Sequence, residues 1–262
     1  MNSLLRLTTA KATSSEPIIL AIDTSSKVTS LAVVQGETLL RSVGARHDEK
    51  RSETLWSDVH SLLEGLGQTI SDVSVFGVCI GPGGFTGLRV GISAVKGFSA
   101  STNKPIVGVS SLEAAAISAG VTGLVCALVN AYKGEAYSQL FSFDEGLPQA
   151  ENEAIVSSYQ GALERVSEIG ELTLVGDAVG AGSEAIQDFV ARLQKGKWVV
   201  DQALYELAVP IAKVTYLKSS RGEFDSAATL KACYVRPLEA EIKLSLGLLG
   251  SKIKRSMRPE QS

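Results

Sequence analysis

The residue types best placed to do chemistry begin with GPGGFTGLRVG, where Gly81, Gly83, Gly84, Gly87 and Gly91 fall within eleven residues. An apolar run enters this stretch and a helical pattern leaves it, a setting in which backbone N–H groups can cradle an anion. A P-loop needs Lys followed by Ser or Thr directly after its last Gly, but Gly87 is followed by Leu88 and Arg89. A dinucleotide site needs an acid about 20 residues on, and the chain there reads PIVGVSS. Both nucleotide readings fail on spacing. What remains is a tight strand-to-helix turn, with glycines at three- and four-residue intervals whose face lets another helix approach closely. Arg89 stands near the helix start, where a cation gains nothing from the dipole, so it is placed to meet an acidic group or a phosphate.

The other reactive residue types form no site on their own. His47 and His60 lie 13 residues apart and read as surface residues on or beside one helix. Cys79, Cys126 and Cys233 are scattered, with no C-x-x-C pair, and read as reduced intracellular thiols, the first two within apolar runs. No spacing suits a Ser/His/Asp or zinc constellation, which excludes a peptidase. A net charge of −3 argues against a dedicated nucleic-acid binder, since these carry a basic face.

The elements that must position these residues read as an α/β chain. IILAID (18–23) is a continuous apolar run, hence a buried strand. VTSLAVV and TLLRSVGA follow as strands, and Leu55, Val59, Leu62, Leu63 and Leu66 make an amphipathic helix of 48–66. Residues 72–80 form a strand, 85–102 a helix stopped at Asn103-Lys104-Pro105, and 106–109 a strand; LEAAAISAG is a helix capped by Ser110-Ser111. The second half restarts this grammar. Setting Asp23 against Asn130 lays IILAID-TSSKVT-SLAVV on VCALVN-AYKGEA-YSQLF without a gap. Helices over 162–169, 182–194 and 201–220, the last with an irregularity at Pro210, and a strand at 171–176 complete two α/β lobes of mixed sheets flanked by helices. The expected division is a disordered leader (1–16), lobes at 17–120 and 121–238, and a basic tail (239–262). With 262 residues the chain can bury a core without disulfides. No apolar run reaches the length of a membrane span.

GPGGFTGLRVGISAVKG resembles the GPGSFTGLRIG signature of the TsaB (YeaZ) family, partner subunits in bacterial threonylcarbamoyladenosine synthesis on tRNA. ILAIDTSS (19–26), RSETLW (51–56), VGVSSLEAAA (107–116), NAYKGEAY (130–137), LVGDAVG (174–180) and YVRP (234–237) extend the resemblance. It implies a duplicated actin-like ATPase fold, of the ribonuclease H-like kind. It also implies a non-catalytic or weakly catalytic subunit that activates a TsaD-type transferase acting on adenosine 37, with a TsaE-type ATPase in the same assembly. ATP–Mg²⁺ would be used by that assembly, tRNA met only through it, and the chain alone could form a homodimer in the cytoplasm. Docking would use Leu55, Val59 and Leu62 on one helix with Gly84, Phe85, Gly87, Leu88 and Gly91 on the next.

In active members of the superfamily, acids at the two hairpins manage Mg²⁺ and water around nucleotide phosphates. Here one is Asp23 and the other is Asn130. The resemblance therefore implies a vestigial nucleotide or anion cleft at Asp23, Thr24, Ser25, Arg89, Asn130 and Gly176, with no metal held. Gly84 replaces the family's usual Ser, Arg51 its His, and Lys133 its Arg. The rival reading, supported by Asp23, Thr24, Ser25 and LVGDAVG, is an autonomous ATPase or small-molecule kinase of the actin-like superfamily.

Overall fold

The structure is a computed structural model and describes residues 15–46, 51–192, 197–201 and 206–236. His47, all but the end of the leader, and the basic tail lie outside the described residues. The first sheet comprises β1 (Ile18–Asp23), β2 (Val28–Gln35), β3 (Thr38–Arg46), β4 (Val75–Gly81) and β5 (Ile106–Ser110), in the order β3-β2-β1-β4-β5. β1 sits at its centre, antiparallel to β2 and parallel to β4. Its unbroken apolar run follows from this place. Leu20 and Ile22 point into one core, Ile19 and Ala21 into another, so neither face meets water.

Two helices cover the Leu20/Ile22 face: α1 (Arg51–Glu64) and α2 (Phe85–Thr102). Leu55, Val59, Leu62 and Leu63 of α1 and Ile92, Val95 and Phe98 of α2 join Leu20, Ile22 and Val78 in this core. Each such side chain, fully buried, contributes roughly 1.5–3 kcal/mol. The stripe that marks α1 as amphipathic is thus the attachment of the helix to its own sheet.

The second sheet repeats the first. It is built from β6 (Val125–Tyr132), β7 (Glu135–Asp144), β8 (Leu147–Ala150), β10 (Glu171–Val175) and β11 (Lys197–Asp201), ordered β8-β7-β6-β10-β11, with β9 (Ile155–Ser158) paired to β7. β6 takes the place of β1, so Asp23 and Asn130 stand near the hairpin ends of equivalent strands. The helix after the last strand of each sheet packs against the other sheet. α3 (Ser111–Ser118) sets Leu112, Ala115 and Ala116 against Val125, Ala127 and Phe141 of the second sheet. α7 (Ala208–Ser220) sets Ile211, Ala212 and Val214 against the first sheet. Lying between lobes, α3 is apolar on two faces, with Ala114 and Ile117 facing the first-lobe core. Lys218 on α7 pairs with Glu113 on α3 at 2.8 Å.

Several expectations change. Chain order puts 208–236 with the second lobe, whereas α7 and Leu230 pack into the cores of the first. The helix expected over 201–220 begins at Ala208. Pro210 disturbs nothing there, because a first-turn residue has no intrahelical N–H bond to lose. The edge strands β8, β9 and β11 are additional, and α4 spans Tyr159–Glu164 rather than 162–169. The helix expected over 182–194 is preceded by a short helix, α5 (Asp177–Ala181), and itself runs as α6 (Ser183–Arg192).

Candidate functional site

A cleft opens where the hairpins after β1 and β6 face each other. On the first-lobe side, Asp23, Thr24 and Ser25 are buried. The Asp23 Oδ1 accepts the Ser25 N–H at 2.9 Å, closing a tight turn. Thr24 Oγ1 donates to the Gly87 carbonyl of α2 at 2.7 Å, and the Gly84 N–H donates to the Ser25 carbonyl at 2.7 Å. This hairpin lies directly on the start of α2. A Cβ at Gly91 would sit 2.5 Å from Thr24 Oγ1, and one at Gly83 would sit 2.7 Å from the Ser25 carbonyl. The motif's glycines therefore admit this chain's own hairpin.

The second-lobe wall supplies a residue that spacing alone missed. β10 pairs with β6 only as far as Val175 opposite Ala127, and the chain then turns at Gly176, with φ +118°, into α5. A side chain at Gly176 would run into the Leu128 carbonyl. This early exit sets Asp177 beside the end of β6, where its Oδ1 accepts the Asn130 N–H at 2.8 Å. Burial pushes the Asp177 carboxyl above the ordinary value; the Asn130 N–H pulls the other way, and the charge of Asp23 adds to the rise. Asn130's own Oδ1 accepts the Tyr132 N–H at 2.8 Å, so its side chain shapes the turn. Ser25, Ser26, Gly83, Asn130, Gly176 and Asp177 line the cleft, and Lys27 lies over the Tyr132 ring at its rim. The signal for Asp177 was the LVGDAVG stretch, whose acid follows a glycine at the end of a strand.

Arg89, expected in the cleft, is elsewhere. It lies on the outer surface of α2, its guanidinium 3.7 Å from the centre of the Phe85 ring. It shares a groove with Leu55, Trp56, Phe85, Val90 and Ser93. Among the residues expected to dock a partner, Leu55, Val59, Leu62 and Leu88 are each at most 3% exposed and Gly87 and Gly91 are buried. What α1 and α2 present outward is Trp56, 55% exposed and edge-on to Phe98 at 4.5 Å, with Phe85, Arg89, Val90 and Ser93 beside it. A second hollow on the far side of Trp56 is lined by Val59, His60, Leu63, Ile70 and Phe98. His60 is exposed, 3.7 Å from Glu64 one helical turn on. No cluster of three or more His, Cys, Asp or Glu among the described residues could hold a metal ion.

Two lobes of one topology, joined by exchanged helices and closed around a cleft, define a protein of the actin-like ATPase fold. The solved YeaZ from Pseudomonas aeruginosa shares it with a TM-score of 0.69 at 24% identity, over 83% of this chain and 99% of that one. The family described as "TsaD: tRNA N6-adenosine threonylcarbamoyltransferase" matches residues 11–195. Two relatives named "tRNA threonylcarbamoyladenosine biosynthesis protein TsaB" are similar to this chain. That of Bacillus subtilis is 34% identical over 130 residues, 49% of this chain and 57% of the relative. That of Escherichia coli is 29% identical over 74% of this chain and 85% of the relative. The chain belongs to this family, on its TsaB (YeaZ) branch.

Proposed function

We propose that this chain is a non-catalytic or weakly catalytic partner subunit in tRNA threonylcarbamoyladenosine synthesis. It docks a TsaD-type transferase and supports transfer of the threonylcarbamoyl group to adenosine 37. The observation that carries the reading is Trp56, a large aromatic held half out of the fold beside the buried Leu55, Val59 and Leu62 of its own helix. Aromatic and Arg anchors beside a hollow are the usual centre of a protein interface. The docking residues are accordingly revised to Trp56, Phe85, Arg89, Val90 and Ser93. A TsaE-type ATPase joins the same assembly and uses ATP–Mg²⁺, tRNA is met only through the complex, and the compartment is the cytoplasm. Without the transferase the same face can pair two copies of this chain. No helix among the described residues is long and apolar enough to cross a membrane.

The test is Trp56→Ala in calorimetric titration with the TsaD-type subunit. A Trp side chain buries up to about 250 Å². Covering its exposed 55% at about 25 cal/mol per Å² is worth roughly 3 kcal/mol. Affinity should fall on the order of 100-fold. An unchanged affinity in a folded variant would sink the proposal.

The second reading, an autonomous actin-like ATPase, gains one supporting observation. Asp177 brings a carboxylate to the cleft wall, where Asn130 supplies none, and Asp23, buried behind that wall, lies near enough for its charge to act on Asp177. Titration of the chain alone with ATP–Mg²⁺, followed by phosphate release, separates the two readings. Tight binding with turnover favours the enzyme, and neither favours the subunit.

A further inference from the structure

We propose that residues 223–236 are a strap that links docking on α2 to the setting of the cleft between the lobes. The proposal rests on the docking face described above. After α7 the chain returns along the edge of the first sheet. The Asp225 N–H donates to the Ile106 carbonyl at 2.7 Å, and the Asp225 carboxylate accepts the Gly108 N–H at 2.8 Å. Leu230, 3% exposed, inserts into the core beneath α2, over Gly108, where a Cβ would sit 2.8 Å from its Cδ1. The Cys233 N–H then donates to the Ile80 carbonyl at 2.7 Å. Three anchors thus fix the strap to the first lobe.

Its last residues do two further things. Tyr234 lies against Phe85, ring centres 5.4 Å apart, and its hydroxyl accepts the Arg89 Nε–H at 3.4 Å. The strap is therefore part of the surface that Phe85 and Arg89 present. Two residues on, Arg236 forms an ion pair with Glu135 of the second lobe. Glu135 begins β7 directly after the Tyr132-Lys133-Gly134 turn, whose φ angles are all positive and which follows Asn130 at the cleft wall. Tyr234 on the docking face and Arg236 on the cleft hairpin are separated by one residue, Val235, at a bend of the chain, so a shift of one is passed to the other.

An ion pair that keeps more than a third of each side chain exposed is weak. It serves as a bias on the hairpin, easily made or released. A partner seated on Tyr234, Phe85 and Arg89 favours the strap in place, and with it the latched hairpin. By reciprocity, a latched hairpin favours the partner.

The test measures two quantities in the full-length chain: hydrogen exchange of the amides of residues 130–137, and affinity for the TsaD-type subunit. Arg236→Gln and Glu135→Gln should each speed exchange of the hairpin several-fold and weaken binding about threefold. The swapped pair Arg236→Glu with Glu135→Arg should restore both. Either quantity left unchanged in the single variants, or a swap that restores neither, overturns the strap. Trp56→Ala in the same titration keeps the two proposals distinct. If it abolishes binding while Arg236→Gln does nothing, only the strap fails; if it too does nothing, the docking face fails first.

Discussion

Gly91→Ala is the perturbation that decides what the glycine motif is for. The added Cβ would lie 2.5 Å from Thr24 Oγ1, well inside contact distance, while its next neighbours, Val78 Cγ2 and Thr24 Cβ, stand at 3.6 and 3.7 Å. The whole clash is therefore with one hydroxyl, and that hydroxyl is held in place by its bond to the Gly87 carbonyl. Overpacking of this kind costs about 1–3 kcal/mol, and loss of the Thr24 bond adds about 1. Alanine's better helix propensity returns up to about 1. The net expectation is a loss of about 1–3 kcal/mol, or a Tm lower by roughly 3–10 °C for a chain of this size. In a Thr24→Ala background the clash disappears, and Gly91→Ala should be neutral or stabilising by up to about 1 kcal/mol. Urea and thermal denaturation of the four proteins of this cycle measure the coupling, expected at about 2 kcal/mol. Equal cost in both backgrounds, or none in either, would refute the argument that these glycines seat the hairpin. Loss of partner binding with stability unchanged would return them to the interface.

Asp177→Asn keeps an oxygen to accept the Asn130 N–H and removes the charge. Because the folded carboxyl titrates above its unfolded value, the native state holds its proton longer. The stability this group contributes is full below the unfolded pKa and is lost as pH rises through the folded one. The variant should therefore have a higher Tm than the parent at pH 7 and little difference near pH 4, read from thermal melts across that range; a lower Tm at pH 7 would show that the fold wants the charge. Among the thiols, burial pushes Cys126 up to about 12 and raises Cys79 as well, with the charge of Asp23 adding to the latter. Cys233 is exposed, its thiol raised by partial burial. Iodoacetamide at pH 8 should label Cys233 alone in the native protein and all three cysteines in denaturant, by mass spectrometry; native labelling of Cys126 at a comparable rate would contradict the packing around it.

The first lobe was legible because each of its elements carries a strong local pattern. β1 is apolar without a break, since both faces are covered, and α1 shows a clean stripe, since one face is. The second lobe was read less well because its elements are short. β8 and β9 have four residues each and α5 has five, too few for a period to emerge. The exchange of α3 and α7 was not legible at all. Both helices carry apolar residues on more than one side, which signals burial without saying against which sheet. The same ambiguity bears on the docking residues. A stripe such as Leu55, Val59 and Leu62 has the same spacing whether it meets its own sheet or another protein, and solvent exposure alone separates Trp56 from it.

The cleft shows why identity at an aligned position is a poor guide to chemistry. Asp23 and Asn130 hold equivalent places, and comparing them suggests that one carboxylate has been lost. Yet Asn130 uses its side chain to turn the hairpin and its backbone N–H to hold Asp177. The second carboxylate enters from another strand, because β10 ends early where β4 continues to Gly81. β4 continues, and β10 does not, because α2 must start far enough along to receive Thr24 and Ser25 against its glycines. The seating of one hairpin on α2 thus sets the asymmetry of the cleft. It also turns the far side of α2, with Phe85, Arg89 and Val90, outward beside Trp56. The cleft and the face proposed for docking lie on opposite sides of one contact between Thr24 and Gly91, and a change that loosens that contact should disturb both surfaces.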